Sequence, residues 1–272
     1  MKNEVSVRII TDGSFSLDPG AAFGVTPEPI WSRSFQRMPN GRVKLALNTL
    51  LVSSDDISVL IDSGIGMHHE QKFARIFNIE PAPDYIERIK RIVNPDNLRM
   101  IIHSHLHFDH AGHTFEEVDG KKIFRNALIV AQSEEFRQLS HQNELTRGNY
   151  SSYAAGKRGF HRLRLNGNQR LLPWISVLRT GGHTPGHQAI IIQTGKHEVI
   201  YPGDLFPTSF HLQPNHITAI DYNSFETLAA KKLIIKRALR KNSVMILNHD
   251  LRNAAVQLHG SVEKPEFEPI EI

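Results

Sequence analysis

Residues 100–110 read MIIHSHLHFDH, an apolar strand that runs directly into a cluster of imidazoles and one carboxylate. Both donor types suit zinc and similar divalent ions. His105 and His107 are two positions apart, so in an extended or turning chain both side chains point to one side and can hold one ion. We predict that the chain turns into a helix at Asp109 and His110, so that these two side chains can face a second ion. The alternative is a run of surface imidazoles, but even with 16 histidines chance gives this pattern in well under ~1% of such chains.

Four donors cannot complete two metal sites, so further ligands must come from distant parts of the chain. Three candidates share one property, since each follows an apolar strand: His183, Asp204 and His249. Active sites commonly gather at strand ends, where loops are free to vary. Asp204 also has two carboxylate oxygens and can bridge two ions. The predicted site therefore contains seven residues: His105, His107, Asp109, His110, His183, Asp204 and His249.

The amino-acid composition excludes several classes of protein and several kinds of site. The chain has 272 residues, 40% of them hydrophobic and 22% charged, which suits a single domain over residues 1–272 with ample material for a core. The absence of cysteine excludes disulfides, thiolate nucleophiles and Cys-ligated zinc. The net charge is only +4, and the basic residues between 231 and 241 fit a solvated helix face better than a nucleic-acid patch. No apolar run approaches ~18 residues or resembles a signal peptide, so we expect a cytoplasmic protein without nucleic-acid or membrane partners.

Apolar runs alternate with helical patterns along the chain. Strands are predicted at 5–10, 45–52, 58–63, 100–102, 128–130, 175–178, 189–192, 198–201 and 244–247. Helices are predicted at 85–93, capped by Asp84, from about Ser133, and at 224–239. Residues 141–168 are polar and rich in glycine, and we expect an irregular insertion over one edge. Two β-rich halves, each closed by helices, predict an α/β (α+β) fold: a four-layer αββα sandwich.

The motif, followed in order by His183, Asp204 and His249, resembles the metallo-β-lactamase superfamily from about Val5 to Asp250. The resemblance implies a first metal at His105, His107 and His183, a second at Asp109, His110 and His249, and Asp204 as the bridge. Asp62 matches a family position near the site, where it would support a ligand imidazole; a turn-forming aspartate is the alternative. His103 and His113 flank the motif, and we expect them either behind the site or at the surface. His187 is expected to pack behind the turn at 184–186.

The resemblance implies a dinuclear metal-dependent hydrolase. Zinc is the default metal, with iron, manganese and cobalt as alternatives for the same ligands. Metal binding brings the pKa of water to about 7, so a hydroxide bridging the two ions would attack a carbonyl or phosphoryl centre. Asp109 is also a catalytic candidate, because it could pass a proton to the leaving group. Family branches that need a cysteine ligand, a glutamate in place of His107, or added RNA-binding segments do not match this chain.

The N-terminal stretch from Asp12 to Trp31 resembles the opening of the quorum-quenching N-acyl homoserine lactonase branch and of its organophosphate-hydrolase relatives. We therefore expect a small-molecule substrate, with opening of an N-acyl homoserine lactone ring as the leading reaction. Phosphotriester hydrolysis is the alternative within the class. A mononuclear iron persulfide dioxygenase is the alternative from another class, and a non-catalytic metal-binding module is a third. The same resemblance suggests a homodimer.

One position departs from the lactonase pattern. The best-known lactonases carry a tyrosine three residues after the bridging aspartate, where it assists the substrate carbonyl, and this chain has Pro207. Either His211 or Thr208 takes the role of the tyrosine, or the metal ions alone polarise the substrate carbonyl sufficiently, or the substrate is not an N-acyl homoserine lactone. We name His211 as the second catalytic candidate and expect it to line the mouth of the site. An apolar groove for an acyl chain is expected from Phe23, Trp31, Phe108, Phe206 and Phe210.

Overall fold

Two seven-stranded β-sheets dominate the computed structural model, which describes residues 4–54, 57–151, 154, 157 and 159–271. In spatial order the first sheet contains β4 (Glu80–Pro81), β1 (Val5–Leu17), β2 (Val43–Ser54), β3 (Ile57–Ile61), β5 (Leu98–Ile102), β8 (Leu128–Gln132) and β9 (Arg162–Leu165). The second contains β10 (Gln169–Leu172), β11 (Ile175–Arg179), β12 (Gln188–Gln193), β13 (Glu198–Tyr201), β14 (Val244–Ile246), β15 (Ala255–Gly260) and β16 (Pro265–Pro269). A separate small hairpin pairs β6 (Glu117–Val118) with β7 (Lys121–Lys122).

Six helices lie among the described residues: α1 (Pro19–Phe23), α2 (Glu28–Trp31), α3 (Gln71–Phe77), α4 (Tyr85–Lys90), α5 (Ser133–Ser140) and α6 (Ser224–Lys241). The longest, α6, begins at a cap in which the Asn223 side chain accepts hydrogen bonds from the first-turn backbone. It ends where Asn242 adopts a left-handed φ of 51°. Asparagine suits both positions, since its side chain caps N-termini and it tolerates left-handed backbone.

The inner faces of the two sheets share one hydrophobic core. Val52 and Ile102 from the first sheet belong to the same buried cluster as Ile190 and Ile246 from the second. Helix α4 covers the outer face of the first sheet, and helix α6 covers the outer face of the second. The predicted four-layer αββα sandwich is therefore confirmed. The shared core also supports our proposal that residues 1–272 form one domain.

The functional loops leave one end of this sandwich. Strand β5 ends at Ile102, directly before the histidine motif, and β13 and β14 end just before Asp204 and His249. Asn48 on β2 donates to the carbonyls of Leu247 and Asp250, at 3.1 and 3.0 Å. This buried side chain joins the first sheet to the loop that follows β14 in the second. The arrangement brings donors from both sheets to one edge.

Several local predictions were wrong. Asp109 and His110 lie in a tight turn rather than a helix, and only a short 3₁₀ segment follows at His113–Phe115. The strand predicted to end at Ile10 continues to Leu17, because a register shift between Thr11 and Ser14 absorbs the Asp-Gly pair. Strands β15 and β16 were not predicted. The insertion predicted at 141–168 contains the edge strand β9, while 152–153, 155–156 and 158 lie outside the described residues.

Candidate metal centre

Three overlapping groups of buried side chains could hold metal ions in the described part of the chain. Within each group, ligand atoms from all members lie within 4.8 Å of one another. The groups are His105, His107 and His183; His105, His110 and Asp204; and Asp109, His110 and His249. They bring together all seven residues predicted from the sequence. A cluster of imidazoles and carboxylates this tight fits divalent metal binding.

Asp204 lies between His183 on one side and His110 and His249 on the other, and it presents a different carboxylate oxygen to each side. Its Oδ2 lies 3.4 Å from His183 Nε2, whereas its Oδ1 lies 3.2 Å from His110 Nε2 and 3.3 Å from His249 Nε2. Gly203 allows this approach, because a Cβ there would lie 2.6 Å from His187 Nε2 and its φ is +54°. Only glycine fits such a position without strain.

Three buried imidazole nitrogens in the cluster have no hydrogen-bond partner among the described residues: His105 Nε2, His110 Nε2 and His249 Nε2. Leaving such an atom unpaired in a protein interior costs about 1–3 kcal/mol. All three belong to the groups described above. Each lies in a group whose ligand atoms converge, which fits bound metal ions that would satisfy all three nitrogens.

The Nδ1 atoms of three rings in the cluster are held by hydrogen bonds that fix the ring orientations. His110 Nδ1 lies 2.8 Å from Asp62 Oδ2, and His249 Nδ1 lies 2.7 Å from the Ala46 carbonyl. His183 Nδ1 lies 2.8 Å from Asp221 Oδ1. In metal sites such outer hydrogen bonds select the tautomer that leaves the inner nitrogen free to bind.

Asp62 is held in a strained backbone conformation and supports the motif, as predicted. Its φ is +54°, which costs energy for a residue other than glycine. Its carboxylate accepts from the backbone and hydroxyl of Ser104, at 2.8 and 2.7 Å, in addition to His110. Burial favours the neutral acid, but His110 and His103 outweigh it and hold the Asp62 pKa below its usual value. The carboxylate is therefore anionic.

Charge state in the centre follows from burial and close neighbours. Burial, reinforced by the neighbouring imidazoles, holds the pKa of His105 and His107 well below the usual value. Burial opposes ionisation of Asp204 too, but the surrounding histidines outweigh it and lower its pKa well below 3.8. Burial also opposes the charged form of His110 and His183, but Asp204 outweighs it and raises the pKa of both rings. His105 and His107 as neutral imidazoles and Asp204 as an anion are thus in the protonation states that metal binding requires, whereas His110 and His183 would release protons on binding.

Two supporting residues escaped the sequence analysis. Glu135 in the first turn of α5 is fully buried and accepts from Leu106 N at 2.9 Å, Thr184 Oγ1 at 2.6 Å and Gly186 N at 3.1 Å. It thereby ties the loop of His105 and His107 to the loop of His183. Asp221, which supports His183, lies in a segment without a recognisable motif. An acidic residue beside an apolar strand was the only available indication for Glu135, and none existed for Asp221.

Three histidines outside the cluster, His103, His113 and His187, are buried and have defined hydrogen-bond partners. His103 and His113 are both buried rather than at the surface. His103 Nε2 lies 2.9 Å from Thr114 Oγ1, while His113 lies 3.1 Å from Asp12 and 2.8 Å from Glu116 in a separate ionic cluster. His187 packs behind its turn, as predicted, and accepts from Asp204 N at 3.2 Å.

His211 lines a cavity of about 190 Å³ together with Asp109, Asp204 and His249. Both of its ring nitrogens are engaged, by Thr208 Oγ1 at 2.8 Å and by the Ala22 carbonyl at 2.9 Å. Burial, followed by the charge of Lys231, lowers the pKa of His211 to about 3. The ring is therefore neutral at physiological pH.

The apolar lining of this cavity differs from the predicted groove. Of the five aromatics expected there, only Phe108 lines it, and the remaining wall comes mainly from Phe15, Leu17, Leu45, Phe77 and Ile220. Phe206 is buried beneath α6, while Phe23, Trp31 and Phe210 pack together around the N-terminal helices. Pro207 also lies in the cavity wall and adds an apolar ring to it.

Comparison with known proteins agrees with this geometry. Residues 44–249 match the Metallo-beta-lactamase superfamily. The chain belongs to this superfamily. The matched residues run from β2 to the last of the clustered histidines and so include the whole centre. Membership identifies the protein as a metal-dependent hydrolase of the metallo-β-lactamase fold, as the sequence predicted.

Similar proteins include two lactonases and one hydrolase whose structure has been solved. An N-acyl homoserine lactonase of a Bacillus species is 26% identical over 247 residues, covering 84% of this chain and 89% of the lactonase. The Bacillus cereus enzyme of the same name is 25% identical over 249 residues, with the same coverage. A probable metal-dependent hydrolase from Staphylococcus aureus superposes with a TM-score of 0.87 at 25% identity and covers 100% of this chain and 99% of its own.

A more distant structure, an N-acyl homoserine lactone hydrolase bound to N-hexanoyl-L-homoserine, superposes with a TM-score of 0.71 at 21% identity. It covers 92% of this chain and 95% of its own, and it shows that the fold is shared. Among the described residues, no helix has the length and apolar character needed to cross a bilayer.

Proposed function

We propose that this protein is a dinuclear metal-dependent hydrolase that opens lactone rings, with N-acyl homoserine lactones as substrates. One observation carries the proposal: the two oxygens of Asp204 face opposite halves of the cluster, toward His183 on one side and toward His110 and His249 on the other. A mononuclear site has no need of this bridging geometry. The lactonase relatives, at 25–26% identity over most of the chain, supply the substrate class.

In this proposal His105, His107 and His183 hold one ion, Asp109, His110 and His249 hold the other, and Asp204 bridges them. Zinc is the proposed metal, because imidazole and carboxylate groups are its usual ligands in catalytic sites; iron, manganese and cobalt are the alternatives. When bound, the two ions would activate a water molecule and polarise the substrate carbonyl. The homodimer expected from the resemblance stays a prediction.

The remaining steps belong to residues of the chain. Asp109 lines the cavity, and its Oδ2 lies 3.5 Å from His249 Nε2. From there its carboxylate can hold a proton and deliver it to the leaving oxygen of the opened ring. His211 contacts the substrate as part of the cavity wall. Phe108 and Pro207 keep water from that side of the reacting carbonyl.

The test combines metal analysis with a lactone assay on the same sample. Metal-loaded protein should contain two ions per chain and release acid from N-acyl homoserine lactones, measured by pH-stat titration. Asp109→Asn provides the matched inactive control, because it keeps side-chain size while removing the carboxylate. No acid release above this control would overturn the proposal. Hydrolysis of a chromogenic phosphotriester alone would indicate the alternative hydrolase, and one iron per chain with oxygen uptake on a persulfide would indicate a dioxygenase.

A further inference from the structure

A cleft of about 590 Å³, which we call the basic cleft, lies outside the metal centre. Small-molecule sites usually measure about 300–1,000 Å³, so a ligand of ordinary size fits in it. Its described lining contains none of the seven clustered residues and shares no residue with the cavity that His211 lines. Its walls come from residues 33–39, 209–210 and 250–253, from Lys44 on β2 and from Phe267 on β16.

Positive charge dominates the lining of the basic cleft. Four basic side chains and one acidic side chain line it: Arg33, Arg37, Lys44, Arg252 and Asp250. Two of the four already have partners, since Arg37 pairs with Glu28 at 2.9 Å and Lys44 pairs with Glu80 at 2.6 Å. The other two, Arg33 and Arg252, are exposed and form no ion pair with any described residue.

The acidic residue of the cleft offers these two arginines no free acceptor. Asp250 is buried, and its Oδ2 accepts from the backbone N–H and the hydroxyl of Ser209, both at 2.7 Å. Its Oδ1 accepts from the backbone N–H groups of Arg252 and Asn253, at 2.9 and 2.7 Å. A carboxylate has about four lone-pair sites, and these four bonds occupy them. Both guanidinium groups are therefore available to a ligand, in a concave surface that strengthens their potential.

Three phenylalanines add an aromatic surface to the same cleft: Phe35, Phe210 and Phe267. Phe35 and Phe210 pack edge to face, with ring centroids 6.4 Å apart. Phe267, on the edge strand β16, leaves 36% of its surface exposed. Exposed aromatic rings stack with planar groups. The neighbouring rings and unpaired guanidinium groups together fit a ligand that joins a planar group to an anion.

Two loops separate the basic cleft from the cavity beside the metal centre. In the first loop, Pro207 lines that cavity, whereas Ser209 and Phe210 line the basic cleft. In the second loop, His249 lines the cavity and the next residue, Asp250, lines the basic cleft. The backbone N–H of His249 donates to Pro207 O at 2.9 Å and ties the two loops together. A ligand in the basic cleft is thus bound behind the metal centre and does not contact the metals.

We propose that the basic cleft binds an organic phosphate that carries a planar aromatic group, such as a nucleoside phosphate. Arg33 and Arg252 bind the phosphate, because a guanidinium group donates two parallel hydrogen bonds to phosphate oxygens. Phe35 and Phe267 contact the planar group. A phosphate carries close to two negative charges at neutral pH, which suits two unpaired arginines better than a single carboxylate does. The site is independent of the proposed lactonase reaction.

The experiment measures binding of adenosine 3′,5′-bisphosphate to metal-loaded protein by isothermal titration calorimetry. This probe joins an aromatic base to two separate phosphate groups, and adenosine and inorganic phosphate represent its two parts. We expect the bisphosphate to bind at least about tenfold more tightly than either part, because both kinds of contact are then made. A ligand that makes only one kind of contact loses the other.

Substitutions then assign the two kinds of contact. Arg33→Gln and Arg252→Gln should each weaken binding of the bisphosphate by at least about tenfold, because each removes charged hydrogen bonds. Phe267→Ala should weaken it by at least about fivefold and leave the affinity for inorganic phosphate unchanged. Arg125→Gln is the matched control, since Arg125 is exposed, pairs with Asp96 and does not line the cleft. Circular dichroism checks that the variants fold.

Four results would overturn the inference. Wild-type protein could fail to bind the bisphosphate. Binding that survives both arginine substitutions but disappears on metal removal would place the phosphate in the metal centre. Equal affinity for inorganic phosphate and the bisphosphate would mean an adventitious ion only. A dimer that dissociates in Arg252→Glu, measured by sedimentation velocity, would make the cleft an interface between two copies. The lactone assay tests the proposed function separately, so the two can fail independently.

Discussion

Asp221 Oδ1 lies 2.8 Å from Nδ1 of His183, although 38 residues separate the two side chains. The same oxygen accepts from Thr218 Oγ1 at 2.6 Å. Burial would raise the pKa of Asp221, but these hydrogen bonds and the charge of His183 lower it. His183 is thus held by an anionic carboxylate that orients its other nitrogen toward the cluster.

Asp221→Ala should weaken metal binding at the first proposed site by about 10–100-fold, the usual cost of losing such an outer partner. Binding at the second proposed site, around His249, should change much less. Titration with a competing chelator, followed by metal analysis, measures both affinities. Asp84→Ala is the control, since Asp84 is exposed and its ion pair with Arg88 lies at α4 rather than in the metal cluster. Equal loss at both sites would contradict the assignment of Asp221 to His183.

Glu135→Ala should lower the free energy of unfolding of the metal-free protein by at least about 2 kcal/mol. The substitution leaves the buried donors of Leu106, Thr184 and Gly186 without their acceptor, and each such loss costs about 1–3 kcal/mol. Urea unfolding followed by circular dichroism provides the measurement. Glu134→Ala, at the neighbouring and more exposed position, should cost much less. Similar losses in the two variants would show that Glu135 does not tie the two loops together.

The ionic cluster around His113 predicts a pH dependence of stability. Burial disfavours the charged ring, but hydrogen bonds to Asp12 and Glu116 raise the pKa of His113 to about 9. A raised folded-state pKa gives stability that is complete below 6.5 and is lost as the pH rises through about 9. Conversely, the pKa of Glu116 is lowered to about 2, so its contribution is complete above 4.5 and is lost only in acid.

His113→Gln should therefore lower stability most between pH 4.5 and 6.5, and should flatten the decline that the wild type shows toward pH 9. Urea midpoints across this range, on metal-free protein, measure both effects. His259→Gln, at an exposed position, should retain the wild-type curve. If the wild type shows no decline between neutral pH and pH 9, His113 is not charged in the folded state.

His211→Asn should raise KM without removing a limb from the pH–rate profile. A neutral ring with a pKa of about 3 and both nitrogens engaged does not titrate between pH 5 and 9. Its contribution to a lactonase would come from shaping the wall of the cavity that it lines beside Asp109 and His249. Steady-state kinetics across that pH range separates the two roles. Loss of a limb in the variant would instead identify His211 as an acid or base.

The sequence predicted the centre better than its surroundings. All seven clustered residues were recognised because each follows an apolar strand, and strand ends meet at an edge of a sandwich. Asp221 and Glu135 were missed because their roles depend on contacts with loops 38 and 49 residues away, at His183 and Thr184, which no local pattern records. The same limit explains the aromatic groove. Spacing marked Phe206 as near the site, yet the turn at Asp204 directs it beneath α6.

The clustered metal-binding side chains come from both sheets, so the cluster can form only when the two sheets have packed together. His105, His107, Asp109 and His110 follow a strand of the first sheet, whereas His183, Asp204 and His249 follow strands of the second. Each of the three groups draws on both sheets. A half-folded chain therefore offers no complete group, and the free energy of metal binding becomes free energy of docking one sheet on the other. Metal uptake should come last in folding, after the halves have met, and its rate should follow the formation of the interface between them.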